Sequence, residues 1–137
     1  MNPSEKISLI VSPLRIKLLE SLRDERHPED LAREFKITRQ AVDKHLSILY
    51  RYGLVDKRIK EGIRPMVFYR ITSEGEEFLQ NFENMAEGHF ISVRKRYKDE
   101  LLTLDRMLVD GELNEGEYKR RRNALDKRFK WVMEGWR

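Results

Sequence analysis

The apolar residues of this 137-residue chain change their spacing twice, and this change restricts the possible fold more than any other feature. Up to residue 52 they recur every three or four positions in short stretches, which is typical of amphipathic helices. Between residues 54 and 71 they alternate, as in half-buried strands. The helical spacing then returns for the remainder of the chain. The pattern predicts a mainly α protein with a small β-hairpin, an α+β fold.

Helix-capping residues divide the first part of the chain into four short helices. The first covers residues 4–11. A second helix begins at Ser12–Pro13, where Ser12 is the cap and Pro13 the first helical residue. A third begins at His27–Pro28, with Glu29 and Asp30 in its first turn. Thr38 caps the fourth helix, residues 38–52, whose buried face contains apolar residues at helical spacing. This face is predicted to contain Ala41, Val42, Leu46 and Leu49, or alternatively Ile48 and Leu49.

A hairpin and a long helix follow these four segments. Residues 54–60 and 66–71 alternate as two strands, and residues 61–65 supply the glycine and proline of a hairpin tip. Thr72 or Ser73 then caps the long helix. Three packed helices, a hairpin and a helix follow one another in a winged helix-turn-helix, which we predict for residues 1–78. Residues 79–137 form a second, helical domain.

The positive charge of the chain is confined to one window. The net charge is only +4, but residues 36–70 contain nine Lys and Arg against three Asp and Glu. The remaining residues contain 19 basic and 21 acidic side chains. Ordinary solvated charges would not cluster in this way, because the remainder of the chain is similarly charged yet net negative. A basic helix and hairpin predict a polyanionic partner, double-stranded DNA.

The outward face of helix 38–52 carries side chains that suit the major groove. Arg39 and Gln40 have the geometry for bidentate contacts to bases, and Lys44 and the capping Thr38 suit phosphates. The basic hairpin, residues 57–66, is predicted to reach the DNA backbone or the minor groove. The predicted DNA-binding residues are Thr38, Arg39, Gln40, Asp43, Lys44, His45, Ser47, Arg51, Lys57, Arg58, Lys60 and Arg64.

The stretch Ile37–Val55 resembles the helix-turn-helix of ArsR-type winged-helix regulators. The resemblance rests on Lys44–Leu46, Leu49 and Gly53–Val55, and Ser12–Leu22 is similar to the opening helix of that family. It implies a dimeric transcription regulator that binds a pseudo-palindromic operator. MarR-like regulators share this core, so the subfamily stays open. The chain contains no Cys, so the metal–thiolate sensing of the namesake proteins does not carry over.

His45 has two interpretations. The resemblance places it near DNA, in contact with phosphate or packed on the hairpin, whereas the alternative is an ordinary hydrogen-bonded histidine. A metal ligand is not expected, because His27 and His89 are remote in sequence. The sequence lacks three patterns that are typical of enzymes, namely paired carboxylates in an apolar setting, a Gly-rich phosphate loop and a Ser/His/Asp signature. The sequence therefore predicts a protein that is not an enzyme and uses no cofactor.

The second half of the chain predicts a self-association device. Its long helix is weakened at Gly88, ends at Asp110–Gly111 and precedes a last helix that Asn114 caps, which predicts an antiparallel helical hairpin. The apolar stripe of the last helix runs from Tyr118 to Trp136. The stripe of the long helix predicts a dimer seam formed by Leu79, Phe82, Phe90, Val93, Tyr97, Leu101, Leu104 and Leu108.

Residues 101–129 also resemble the C-terminal helical-hairpin module called SHOCT, which implies oligomerisation. The matching positions are Leu101, Leu104, Leu108, Gly111, Leu113, Glu115, Glu117, Tyr118 and Leu125. This segment contains the basic run Lys119–Arg122. The run has two readings, a contact with DNA or an acidic partner and a solvated face. The second is favoured because carboxylates are available for pairing at i to i+4 spacing.

These features together predict a homodimeric, sequence-specific DNA-binding transcription regulator. The alternative is a winged-helix adaptor that binds proteins without sequence-specific DNA binding. No apolar run approaches the roughly 20 residues that span a bilayer. The chain contains no Cys, which excludes disulfides. We therefore expect a cytoplasmic protein without a membrane partner. A small-molecule effector, the operator and the sign of regulation stay open.

Overall fold

A computed structural model describes residues 1–134 of the chain. It confirms the predicted mainly helical fold with one antiparallel β-hairpin. The predicted stripe residue Trp136 lies outside the described residues. The elements are α1 (Pro3–Ser8), α2 (Pro13–Ser21), α3 (Pro28–Phe35), α4 (Arg39–Arg51), β1 (Val55–Lys60), β2 (Met66–Ile71), α5 (Ser73–Val109), α6 (Glu115–Arg128) and α7 (Lys130–Met133).

Capping side chains begin most of these helices where the sequence indicates. The hydroxyl of Ser12 accepts a hydrogen bond from the Arg15 amide at 3.1 Å, and the hydroxyl of Thr38 accepts one from the Ala41 amide at 3.0 Å. Thr72, rather than Ser73, caps α5, because its Oγ1 accepts from the Gly75 amide at 2.9 Å. The first helix differs from the expectation, since it starts earlier than Ser4, is capped by Asn2 and ends at Ser8.

Two compact units divide the chain, the first comprising Met1–Phe82 and the second beginning at Glu83. The core of the first unit is formed by side chains from α2, α3, α4, β1 and the start of α5. Its fully buried members include Leu18, Leu19, Leu22, Leu31, Val42, Leu46, Leu49 and Leu79. Of the alternatives for α4, Val42, Leu46 and Leu49 are the buried set, whereas Ala41 and Ile48 are half-buried.

Left-handed backbone conformations set the two turns around α4. Lys36, with φ of 55°, ends α3, and the following Ile37 amide donates to the Ala32 carbonyl at 3.1 Å. Gly53, with φ of 76°, follows α4 as predicted, which lets the next amide return to the Leu49 carbonyl at 2.9 Å. These turns fix α4 between α3 and the hairpin.

The hairpin is anchored to the core at one end only. Tyr69 on β2 exchanges two backbone hydrogen bonds of 2.9 Å with Arg26, and the Ile71 amide donates to the Leu22 carbonyl at 2.7 Å. On β1, Val55 is buried but the following residues are exposed. Ile59, which alternation places on the same face as Val55, is 63% exposed, because the hairpin extends beyond the core after its first residues.

The second unit is an antiparallel helical arrangement built on the C-terminal part of α5. The helix continues through Gly88 without a break. The Tyr97 hydroxyl donates to Asp126 at 2.7 Å, which joins α5 to α6 and raises the pKa of Tyr97. The buried residues Tyr97, Leu125, Phe129 and Val132 form its core. The last helical stretch, expected to be continuous, is divided at Phe129 into α6 and α7.

The chain itself covers much of the stripe that predicted a dimer seam. Leu79 is 0% exposed in the core of the first unit, so it has no surface left for a second copy. Tyr97 is buried in the second unit, and the stripe residues Phe90, Val93, Leu101 and Leu104 pack half-buried around it. Phe82 and Leu108 are also half-buried. Intramolecular packing therefore accounts for this periodicity.

Candidate nucleic-acid interface

The face of α4 opposite its buried residues is polar and exposed. Gln40, Lys44 and Ser47 lie on this face, and within residues 1–134 none of the three has a side-chain hydrogen bond or an ion pair. Thr38 lies at the N-terminal end, where its hydroxyl is occupied by capping the helix. A helix N-terminus and a free polar face are the features that DNA-reading helices present to phosphates and base edges.

Arg39 is held by two carboxylates. Its Nε donates to Asp43 at 3.1 Å and one terminal nitrogen donates to Glu29 on α3 at 2.9 Å. These hydrogen bonds, the one to Asp43 first, raise the pKa of the Arg39 guanidinium. Two predicted base contacts, Arg39 and Asp43, thus form an ion pair with each other. Glu29 was not among the predicted site residues, and its only signal in the sequence is its place in the first turn of α3.

His45 is directed toward α2 rather than outward. Its Nδ1 accepts a hydrogen bond from Nε of Arg15 at 3.2 Å, and the same guanidinium donates to the Leu9 carbonyl. Burial, followed by the positive charges of Arg15 and Lys44, lowers the pKa of His45. The imidazole is therefore neutral at pH 7 and connects α4 to α2, which agrees with the hydrogen-bonded alternative.

The predicted cations of the hairpin fall into two groups. Lys57 lies over the Tyr50 ring at 4.5 Å, Lys60 lies over the Phe68 ring at 5.0 Å, and Arg58 forms an ion pair of 2.5 Å with Glu25. The second group consists of Arg64 at the hairpin tip and Arg51, the last residue of α4; both are exposed and neither has an ion pair in the described part of the chain.

Two aromatic residues next to α4 escaped the sequence analysis as site residues. Tyr50 carries the ring under Lys57. Tyr69 is half-buried, and burial, followed by the negative charge of Asp43, raises the pKa of its hydroxyl. That hydroxyl stays protonated at neutral pH and is a hydrogen-bond donor beside the α4 face. The alternation of β2 places Tyr69 on the same face as Val67 and Ile71 but carries no information about its neighbours on α4.

The hairpin tip also exposes an apolar side chain. Ile63 is as exposed as in an extended peptide, and it lies between Gly62 and Arg64. Elsewhere in residues 1–134, no three His, Asp or Glu side chains converge into a potential metal site. None of the helices in that range is long and apolar enough to cross a bilayer.

Comparison with known proteins assigns the segment that forms this surface. The sequence model of the family described as "Bacterial regulatory protein, arsR family" matches residues 12–57. This segment is therefore similar in sequence to the helix-turn-helix of that family. The match covers α2, α3, α4 and the start of β1, and it ends before α5, so the SHOCT resemblance stays a prediction. No curated protein sequence matches the chain.

Solved structures share the winged-helix fold. A transcriptional regulator homologue from Pyrococcus horikoshii OT3 is 22% identical with a TM-score of 0.57, covering 65% of this chain and 97% of that one. A MarR-family regulator from Enterococcus faecalis V583 is 18% identical with a TM-score of 0.58, covering 72% and 94%. A PadR-family regulator from Eggerthella lenta DSM 2243 is 22% identical with a TM-score of 0.53, covering 67% and 88%. The chain thus has the winged helix-turn-helix fold of these structures.

Proposed function

We propose that this protein is a sequence-specific double-stranded DNA-binding transcriptional regulator that acts as a homodimer in the cytoplasm. One observation carries the proposal, the exposed polar face of α4 beside a basic hairpin within an ArsR-family helix-turn-helix. On this proposal α4 occupies the major groove, and the wing, residues 57–66, contacts the DNA backbone or the minor groove. The activity requires no catalytic group, cofactor or metal.

The contacts of each side chain suggest different roles on α4. Gln40, Lys44 and Ser47 are free and can donate to bases or phosphates without losing an existing contact. Arg39 is restrained by Asp43 and Glu29, yet one terminal nitrogen of its guanidinium has no hydrogen bond in the described residues. A restrained arginine loses less conformational freedom when it binds a base, which favours specificity. We therefore assign base reading to Gln40 and Arg39 and phosphate contact to Lys44.

The wing supplies charge rather than a base-specific pattern. Arg64 is free at the tip, whereas Lys57 and Lys60 each pack over an aromatic ring while keeping an exposed ammonium. Such cations add a salt-dependent term to the affinity, because each phosphate neutralised releases condensed counterions. Arg58 contributes less on this proposal, since its charge is matched by Glu25.

The homodimer requires a surface other than the buried stripe. On α5, Ile91, Leu102 and Val109 are 52%, 67% and 84% exposed. They are separated by 11 and 7 residues, close to three and two helical turns, so they lie along one line of the helix. Lys98 lies on this line between Ile91 and Leu102, whereas Asp99 lies about 80° around the helix from Ile91. We propose a second copy of the chain as the occupant of this line.

Selection of bound duplexes from a random DNA pool tests the proposed function. We expect an enriched motif with two-fold symmetry, because a homodimer presents two copies of α4. The variant carrying Arg39→Ala and Gln40→Ala should lose on the order of 10- to 100-fold in affinity for the motif, and much less for mixed-sequence DNA.

Arg33→Ala is the matched control, because Arg33 is an exposed, ion-paired arginine on α3. It should leave the preference for the motif unchanged. Equal losses on the motif and on mixed-sequence DNA in the Arg39 and Gln40 variant would remove the base-reading assignment. Failure of the wild-type protein to bind any duplex at low salt would favour the adaptor alternative.

A further inference from the structure

The outer face of α6 is a second concentration of positive charge. One side of this helix is occupied, because Leu125 is buried and the Tyr118 hydroxyl donates to Asp105 on α5. At about 100° per residue, Lys119, Arg120 and Lys127 fall within roughly 100° of one another on the opposite side. All three are exposed.

Most of these cations lack the carboxylate partners that the sequence favoured. In the basic run, only Arg122 forms an i to i+4 ion pair, with Asp126 at 3.7 Å. Glu115 and Glu117 stand four positions before Lys119 and Arg121, but in the described residues neither carboxylate forms an ion pair with them, and Glu117 instead accepts a hydrogen bond from the Asn114 side chain at 2.7 Å. No carboxylate of the described chain lies within ion-pair distance of the remaining basic residues of α6, namely Lys119, Arg120, Arg121, Lys127 and Arg128.

We infer that the outer face of α6, formed by Lys119, Arg120 and Lys127, is a second DNA-contacting surface that binds the phosphate backbone of double-stranded DNA. The inference rests on the proposed function and adds a contact outside the ArsR-family segment, which ends at residue 57. It replaces the interpretation of this run as a solvated and internally paired face.

The composition of the face favours a phosphate backbone over an acidic protein. On this side of α6, Asn123 lies between the cations and Gly116 precedes them, so the face presents no apolar or aromatic anchor. Protein interfaces derive most of their affinity from buried aromatic and arginine anchors in desolvated pockets. Phosphate contacts need only exposed donors and positive charge, and the three residues supply both over about 12 Å of helix axis.

The test compares two full-length variants that remove the same charge. The first carries Lys119→Gln, Arg120→Gln and Lys127→Gln. The matched control carries Arg96→Gln, Arg122→Gln and Lys130→Gln, whose cations pair with Glu100, Asp126 and Glu134. We expect the slope of log affinity against log salt, measured on a mixed-sequence duplex, to fall by about 2 to 3 in the first variant and by less than about 1 in the control.

A charge-conserving variant separates electrostatics from folding. Lys119→Arg, Arg120→Lys and Lys127→Arg should keep the wild-type slope, and circular dichroism should report the same helix content in all variants. A reduced slope in this conserving variant would overturn the inference, because it would point to a structural role.

A variant of the wing distinguishes the inference from the proposed function. If Lys60→Gln with Arg64→Gln lowers the salt slope but the α6 variant matches its control, the inference is wrong and the proposed function stands. If the wild-type protein binds no duplex, both are wrong. If only self-association changes in the α6 variant, measured by sedimentation, the face binds a second copy of the chain and the inference is wrong.

Discussion

A single histidine joins the exposed helix α4 to the helix behind it. The Arg15 guanidinium donates to the neutral imidazole of His45 at 3.2 Å and also to a carbonyl at the end of the N-terminal segment. A protonated imidazole has no lone pair on Nδ1, so protonation removes this hydrogen bond and adds a second positive charge beside Arg15. His45 is thus a pH-sensitive contact within the first unit.

The lowered pKa of His45 predicts a pH-dependent stability. In the unfolded chain His45 has its ordinary value of 6.5, so between that value and the lower pKa of the folded protein the unfolded state binds more protons. The free energy of unfolding should therefore fall as the pH decreases below about 6.5. Denaturant unfolding between pH 8 and pH 5 measures this change in the free energy of unfolding.

The variant His45→Gln should lessen the decline. The control His89→Gln, which changes an exposed histidine of the second unit, should leave the decline unchanged. Identical pH profiles for all three proteins would contradict the prediction.

At the scale of elements, local chemistry decides where helices begin and packing decides how they approach one another. Ser12, Thr38 and Thr72 cap helices through hydrogen bonds to amides three residues ahead, which depends only on neighbouring residues. The exposure of Ile59 depends on how far the core extends, which alternation along the strand does not encode. Two glycines inside α5 also differ through packing, because Gly75 lies against the core and Gly88 does not.

Gly75 and Gly88 predict opposite effects of the same substitution. A Cβ on Gly75 would overlap the Leu54 carbonyl oxygen and the Ile71 side chain, whereas a Cβ on Gly88 meets nothing within 4 Å. Gly75→Ala should lower the free energy of unfolding by about 3 kcal/mol through overpacking. Gly88→Ala should raise it by about 1 kcal/mol through helix propensity. Chemical denaturation of both variants provides the measurement, and a stabilising Gly75→Ala would contradict the close packing at Leu54.

At the scale of the whole molecule, one helix serves two hydrophobic cores. The N-terminal part of α5 contributes Leu79 to the first unit, and its later turns contribute Tyr97 to the second. A helix that contributes to two cores needs a continuous apolar stripe, and a helix at a dimer seam needs the same stripe. The exposed apolar line on α5 is the surface that we propose for self-association.

The exposed line on α5 predicts how dimerisation responds to mutation. Ile91→Ser with Leu102→Ser should shift the protein toward monomer, raising the dimer dissociation constant on the order of 100-fold, because burying two such side chains contributes about 3 kcal/mol or more. Sedimentation equilibrium measures the shift. Thr103→Ser, an exposed control on the same helix, should not alter it. A protein that is monomeric before mutation would contradict the proposed homodimer.

The sequence by itself determined what depends on neighbouring residues. The helix caps, the turn at Gly53, the strands around the tip and the basic window at residues 36–70 all follow from local chemistry and composition. These features sufficed for the winged-helix order and for a candidate surface on α4. They also identified residues 12–22 and 37–55 as ArsR-like, in the segment that the family model matches.

Only the tertiary structure decided which partners each side chain acquires. Glu29 reaches Arg39, Arg15 reaches His45, and Glu25 reaches Arg58, all between residues at least 10 positions apart. Periodicity likewise could not separate a stripe that binds another copy from one that the chain covers itself, since both require the same spacing. The physical reason is that hydrogen bonds and burial depend on distance in space, whereas capping and alternation depend on distance along the chain.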